Sequence, residues 1–152
     1  RLRFSNADTR RVSSMVATVY LGPPTTDAIE VRRWLSQAGP DHVRDIARIW
    51  IAEARTRKEG AGPTPGEVRD RIRTLRRTLR TGPPLSISDL ALDGSRLKEL
   101  GFLPGPRFAE MLGYLLERVL ERPELNNQFD LEVVLASGGF LPEASASDHE
   151  AP

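Results

Sequence analysis

A row of arginines is the first feature of this 152-residue sequence that could do chemistry. Every third or fourth position of one segment is an arginine: Arg69, Arg73, Arg76 and Arg80. This spacing places the side chains on one face of a helix. Guanidinium groups are planar, always charged and suited to bidentate contact with phosphate. The row could follow a phosphate backbone with salt-dependent affinity, although an ordinary solvated helix face carries the same pattern.

A second candidate site lies in residues 103–109, which read LPGPRFA. The order hydrophobic-x-Gly-x-basic-x-Ala is similar to the turn of a helix-hairpin-helix nucleic-acid motif. Gly105 would let a phosphate approach the backbone, and the next helix start would offer free N–H groups and a positive dipole end. Arg107 would add a charge, and Ala109 would let the two helices pack closely. A corner between helices that binds nothing explains the spacing equally well.

No set of residues in the sequence has the spacing of a catalytic or metal site. His42 and His149 lie far apart, and the chain contains no cysteine. Asp89 and Asp93 stand four residues apart, but they are better explained as a cap residue and a helix end. Neither a phosphate-binding loop with a lysine nor a Gly-x-Ser-x-Gly elbow occurs. We therefore predict that this chain holds no catalytic residue, metal or cofactor of its own.

The elements that must position these arginines are predicted to be helices throughout, about seven or eight in number. The expected helices span about 5–20, 27–38, 41–57, 65–81, 88–92, 95–100, 106–121 and 127–136, the last one capped by Asn126 or Asn127. Thr64 and Glu67 have the spacing of a capping box at the start of the arginine-bearing helix. The third helix is expected to bury one stripe, which comprises Val43, Ile46, Ala47, Ile49, Trp50 and Ala54. The predicted core includes Trp34, Trp50, Leu75, Leu112 and Leu115.

Charge is divided unevenly along the chain. Residues 1–82 carry 17 basic and 9 acidic side chains, whereas residues 83–152 carry 5 and 12. This asymmetry indicates a half that faces a polyanion, although a general preference for arginine would also produce it.

We expect a helical body-like region over 1–62, a tail-like region over 63–140 with a helix-turn-helix near 95–121, and disorder over 141–152. The two lobes would be hinged near 60–63. Without an apolar run long enough for a membrane span, the chain is expected to be cytoplasmic.

Residues 84–94 (PLSISDLALDG) and 97–106 (LKELGFLPGP) together resemble a known segment. The segment belongs to the C-terminal region of bacterial class II CCA-adding tRNA nucleotidyltransferases and their poly(A) polymerase relatives. Its pattern is approximately PL-x-hydrophobic-x-DLA-hydrophobic-x-G-x-x-L, followed by LG-x-x-PGP. Residues 2–7 and 32–35 are also similar, and the match continues downstream through Leu115, Leu116, Val119, Pro123, Leu125 and Asn126.

The resemblance implies a transferase fragment that grips the elbow and acceptor arm of tRNA with its helices. The family's catalytic head and neck, where magnesium and CTP or ATP would bind, have no counterpart in this sequence. Gly105, Arg107 and the four-arginine row are the implied RNA contacts. Two other interpretations stay open. One is the RNA-binding region of a poly(A) polymerase, and the other is a helical protein-interaction module with an exposed apolar patch.

Overall fold

A computed structural model of the chain describes residues 22–58 and 60–142, together with Ser13, Val16, Thr18 and Val19. These residues form six α-helices and three short 3-10 turns, and none of them lies in a strand. The predicted all-α class is confirmed, and the helix number is close to the seven or eight expected. All but those four residues of the helix predicted over 5–20 lie outside the described residues. The disorder predicted over 141–152 lies outside them from residue 143 onward.

The chain divides into two compact units, Arg1–Pro83 and Pro84–Pro152. The sequence suggested a division at 62/63, which falls in the loop before the arginine-bearing helix and within the first unit. None of the described helices combines the length and the apolar character that a membrane crossing needs.

The first unit contains α1 (Ala28–Ala38), a 3-10 turn (Pro40–His42), α2 (Val43–Thr56) and α3 (Pro65–Arg80). The Asp27 carboxylate begins α1 by accepting from the N–H groups of residues 29 and 30, and Gly39 ends it with a φ of 77°. Thr64 and Glu67 form the predicted capping box at the start of α3. Because α3 packs against both α1 and α2, its apolar stripe closes the core of the unit.

Two tryptophans lie at the centre of this core. Trp34 and Trp50 are buried and meet edge to face, with ring centroids 5.2 Å apart. Leu75 from α3 is fully buried as well. The predicted buried stripe of α2 was wrong at one position, since Ile49 is 38% exposed while Ile51, which the pattern left out, is half-buried.

The second unit contains a 3-10 turn (Ile87–Asp89), α4 (Gly94–Glu99), α5 (Pro106–Glu121), another 3-10 turn (Pro123–Leu125) and α6 (Gln128–Ser137). Its core cluster is built almost wholly from leucine and other aliphatic side chains: Leu90, Leu92, Leu97, Phe102, Met111, Leu115, Val119, Leu131 and Leu135. Leu112, predicted to be buried, is partly buried against this cluster.

Three local predictions in the second unit need correction or refinement. The helix expected over 88–92 is a single 3-10 turn, because the Asp89 carboxylate folds back onto the N–H groups of Leu85 and Ser86. Asp93, expected to mark a helix end, is instead the N-cap of α4. Of the two asparagines considered as caps for the last helix, Asn127 is the one that caps α6.

Candidate nucleic-acid interface

The four-arginine row lies along one groove of the first unit. The side chains of Arg69, Arg73, Arg76 and Arg80 line an open groove of about 320 Å³ together with Ile51 and Ile72. All four arginines belong to α3, and Ile51 comes from the neighbouring α2. The last arginine lies eleven positions after the first, which is a rise of about 16 Å along the helix. The structure thus brings together all four residues that the spacing had grouped.

Most of the positive charge in this groove is not neutralised from within the unit. Arg73 pairs with Asp70 one turn earlier, at 2.6 Å, with both side chains largely exposed. Within the described ranges, no carboxylate lies within ion-pair distance of Arg69, Arg76 or Arg80. The Arg80 Nε–H donates to the carbonyl of Arg76 at 3.4 Å, and the Arg80 side chain is exposed. The groove therefore presents an excess of about three positive charges.

The floor of the groove is apolar. Ile72 is buried, at 3% exposure, and Ile51 is half-buried. Both line the groove together with the arginine side chains, which are more exposed. The site therefore combines exposed charges with a more deeply buried apolar floor, a combination that the arginine spacing alone did not predict.

Two further arginines of α3, Arg71 and Arg77, do not line the groove. Arg71 instead donates to the backbone carbonyl of Pro23 at 3.2 Å and is partly buried. It therefore tethers the segment before α1 to α3. Arg77 is exposed but does not line the groove. Helical periodicity explains both positions, since neither falls on the face occupied by the other four.

The predicted helix-hairpin-helix turn lies in the second unit, between α4 and α5. Residues 103–107 are all exposed, including Leu103 at 64%. Gly101, with a φ of 87°, ends α4, and the N–H of Phe102 donates back to the carbonyl of Leu97. Gly105 is then the N-cap of α5, and Pro106 occupies the first helical position. The turn and the helix start are thus placed as predicted.

This helix start offers fewer donors than expected. Pro106 has no N–H, and the N–H of Phe108 donates to the carbonyl of Gly105 at 3.0 Å. The Arg107 N–H is left without an acceptor among the described residues, beside an exposed Arg107 side chain. Ala109 is exposed rather than packed between the helices, so its predicted role in close helix packing was wrong.

The glycine at position 105 is not explained by the fold. Its φ of 172° is extended backbone that any residue adopts. A Cβ atom built there would meet no atom within 4 Å. Neither backbone conformation nor packing within the unit requires glycine at this position. Glycine is favoured at helix N-caps, and the open space at this position would also admit a phosphate.

Comparison with protein-family models, with curated proteins and with solved structures finds no match. The resemblance of residues 84–106 to tRNA nucleotidyltransferases therefore stays a prediction. In the part of the chain that the structure describes, no three acidic or histidine side chains gather in a way that could hold a metal ion. The Asp89–Asp93 pair considered above consists of two capping residues.

The sequence also gave no sign of two contacts that hold the hairpin region in place. The side-chain oxygen of Asn126 accepts from the Ala91 N–H at 2.8 Å, and its amide donates to the Asp89 carbonyl at 2.9 Å. Arg96 on α4 reaches Glu132 on α6 at 2.9 Å, and it also pairs with Glu99. Hydrogen bonds from Arg96 to Glu99 and then Glu132 raise the pKa of its guanidinium. Sequence spacing cannot reveal these partners, because about 35 residues separate them.

Proposed function

We propose that this chain binds folded RNA, with tRNA as the expected ligand, as the C-terminal region of a tRNA nucleotidyltransferase. The observation that carries this proposal is the groove in which four arginines of α3 come together. A polyanion would release counterions on contact with these guanidinium groups. The parent enzyme would add or repair the 3′ CCA end, with magnesium and CTP or ATP held in its catalytic head, and would act in the cytoplasm.

The exposed turn at Gly105 and Arg107 supports the same function from the second unit. Gly105 leaves space for close approach, and Arg107 adds an exposed cation with one unpartnered N–H. Recognition by these two sites would depend on the shape and backbone of the RNA rather than on its base sequence. A poly(A) polymerase origin predicts the same surfaces and differs only in the RNA that the parent protein extends.

The test is a titration of tRNA into the protein at two salt concentrations, with a single-stranded RNA of equal length as the control. We expect salt-sensitive binding that favours the folded RNA. Arg107→Gln and Arg76→Gln should each weaken this binding. Arg44→Gln removes the same charge from an exposed position of α2 outside the groove and should leave it nearly unchanged. Binding that is absent at low salt would contradict the proposal.

A protein-interaction module is the second candidate, and one observation favours it. Phe129 and Val133 stand one turn apart on α6 and are 73% and 49% exposed. Helices that are apolar on all faces are normally buried, and α6 also buries Leu131 and Leu135. If this surface is the functional one, Phe129→Ser with Val133→Ser would raise the solubility of the isolated protein without changing any RNA affinity. The tRNA titration decides between the two candidates.

A further inference from the structure

The groove of the first unit differs from a purely electrostatic patch in having an apolar floor. Ile51 and Ile72 line it together with the arginine side chains, and both isoleucines are more buried than the arginines. A duplex presents phosphates and sugars outward and keeps its bases stacked inside. Placing charged phosphate oxygens against buried isoleucine would remove water from them without replacing its hydrogen bonds, which is unfavourable. The isoleucine floor of the groove is therefore unsuited to the backbone of a helix, although the exposed arginines are suited to phosphate.

An unpaired nucleotide satisfies both parts of the site. Its base has an apolar face that can lie on the isoleucine side chains, and arginine planes also stack on bases. Its phosphate, and those of its neighbours, can contact the exposed guanidinium groups. A groove of about 320 Å³ falls at the lower end of the range for small-ligand sites.

We infer that this groove binds an unpaired nucleotide of the RNA, with its base on Ile51 and Ile72 and its flanking phosphates on the arginines of α3. This inference rests on the proposed RNA-binding function and adds to it the class of RNA element that the groove selects. The selected element is a single-stranded segment next to a helix, such as an overhang or a bulge. The base identity would matter little, because every base has an apolar face.

The decisive probe is an RNA hairpin with a short 3′ single-stranded extension, compared with the same hairpin whose extension is abasic. The two ligands carry the same phosphates and differ only in the bases. We expect the intact extension to bind about fivefold more tightly, which is the low end of the range for bases that stack on aromatic side chains, because the floor is aliphatic. A blunt hairpin should bind more weakly than either ligand.

Two isoleucines of α2 provide a matched pair of variants. Ile51→Ala removes most of one of the two side chains that form the floor of the groove. It should abolish most of the preference for the intact extension over the abasic one. Ile49→Ala makes the same change at an exposed position outside the groove and should keep the preference. Arg76→Lys is a further variant that leaves the floor intact. It retains the charge but loses the planar group, so affinity for the abasic ligand should persist while the preference falls.

The possible results separate this inference from the function on which it rests. Equal, salt-sensitive binding of the intact and abasic extensions would overturn the inference and leave RNA binding in place. Absence of binding to every RNA at low salt would overturn both. A preference that survives Ile51→Ala and Arg76→Lys would also overturn the inference, because the bases would then be recognised elsewhere. Tighter binding of a glutamate- and leucine-rich peptide than of the extended hairpin would assign the groove to an acidic protein partner instead.

Discussion

Replacing Arg76 by glutamine should reduce the salt dependence of RNA binding by a definable amount. Arg76 lines the groove, is exposed and has no ion-pair partner among the described residues. Arg73, by contrast, is already paired with Asp70. The groove therefore contributes about three effective phosphate contacts, from Arg69, Arg76 and Arg80. Each contact adds about 0.7 to 0.9 to the slope of log affinity against log salt concentration.

The magnitude follows from this slope. Three contacts give the groove a slope of about 2.1 to 2.7, so a fourfold increase in salt would weaken its binding about 20- to 40-fold. With two contacts the same increase would weaken binding only about 7- to 12-fold. The assay is fluorescence anisotropy of a labelled tRNA over a salt series, performed on the unmodified protein and on Arg76→Gln. Contacts outside the groove add the same constant slope to both proteins, and the difference between them isolates the contribution of Arg76.

Two further variants test whether position, rather than net charge, is responsible. Arg44→Gln changes the net charge equally but lies outside the groove, so the slope should stay the same. Asp70→Asn should increase the slope by up to about 0.9, because it releases Arg73 from its partner. An unchanged slope in Arg76→Gln, or an equal decrease in Arg44→Gln, would refute the assignment of the groove.

Two predictions concern the second unit alone. A Cβ atom at Gly138 would lie 2.8 Å from the Tyr114 ring, so Gly138→Ala should lower the free energy of unfolding in urea by about 1 to 3 kcal/mol. Gly113→Ala, on an open face of α5, should raise the free energy of unfolding by about 0.5 to 1 kcal/mol. Equal effects of the two substitutions would contradict the close packing of Gly138 against Tyr114. The Asp89 carboxylate accepts hydrogen bonds from the Ser86 hydroxyl and from the Leu85 N–H. These bonds, the first more than the second, lower the pKa of Asp89. Its carboxylate therefore stabilises the folded state above its ordinary pKa of about 3.9, and this stabilisation is lost as the pH falls through its lower folded value. The stability gap between the unmodified protein and Asp89→Asn should be constant above about pH 5 and shrink as the pH falls below about 4, and a gap that does not change with pH would contradict the assignment.

Local signals in the sequence were sufficient for most helices, because the determinants of a helix lie within a few residues of it. Thr64 and Glu67 predicted the start of α3, and the recurring aliphatic positions predicted its buried face. The arginine row was predicted for the same reason, since four positions on one helix remain on one face wherever the helix packs. The segment 88–92 failed because the side chain of Asp89 competes with helical hydrogen bonding for the N–H groups of Leu85 and Ser86.

The part of the site that the sequence could not predict comes from a neighbouring element. Ile51 lies on α2, and it becomes part of the arginine groove only because α2 packs against α3. The pattern of α2 assigned Ile49 to the core, although at 100° per residue Ile51 lies closer than Ile49 to the centre of the apolar stripe. An arginine row alone would bind polyanions in general. Tertiary packing adds an apolar floor to that row and so makes it one wall of a groove.

Two glycines in the hairpin turn show how a structural requirement can be separated from a functional one. Gly101 has a positive φ of 87°, a conformation in which other residues are strained, so the fold alone accounts for it. Gly105 is extended and has open space around its Cα atom. Alanine at position 105 should therefore lower the stability of the unit only by the N-cap preference for glycine, about 1 kcal/mol or less, whereas alanine at 101 adds the strain of a positive φ. If a phosphate approaches the turn, Gly105→Ala should also weaken tRNA binding. A loss of affinity in a variant that stays folded under the binding conditions would show that the second unit contacts the RNA at this turn.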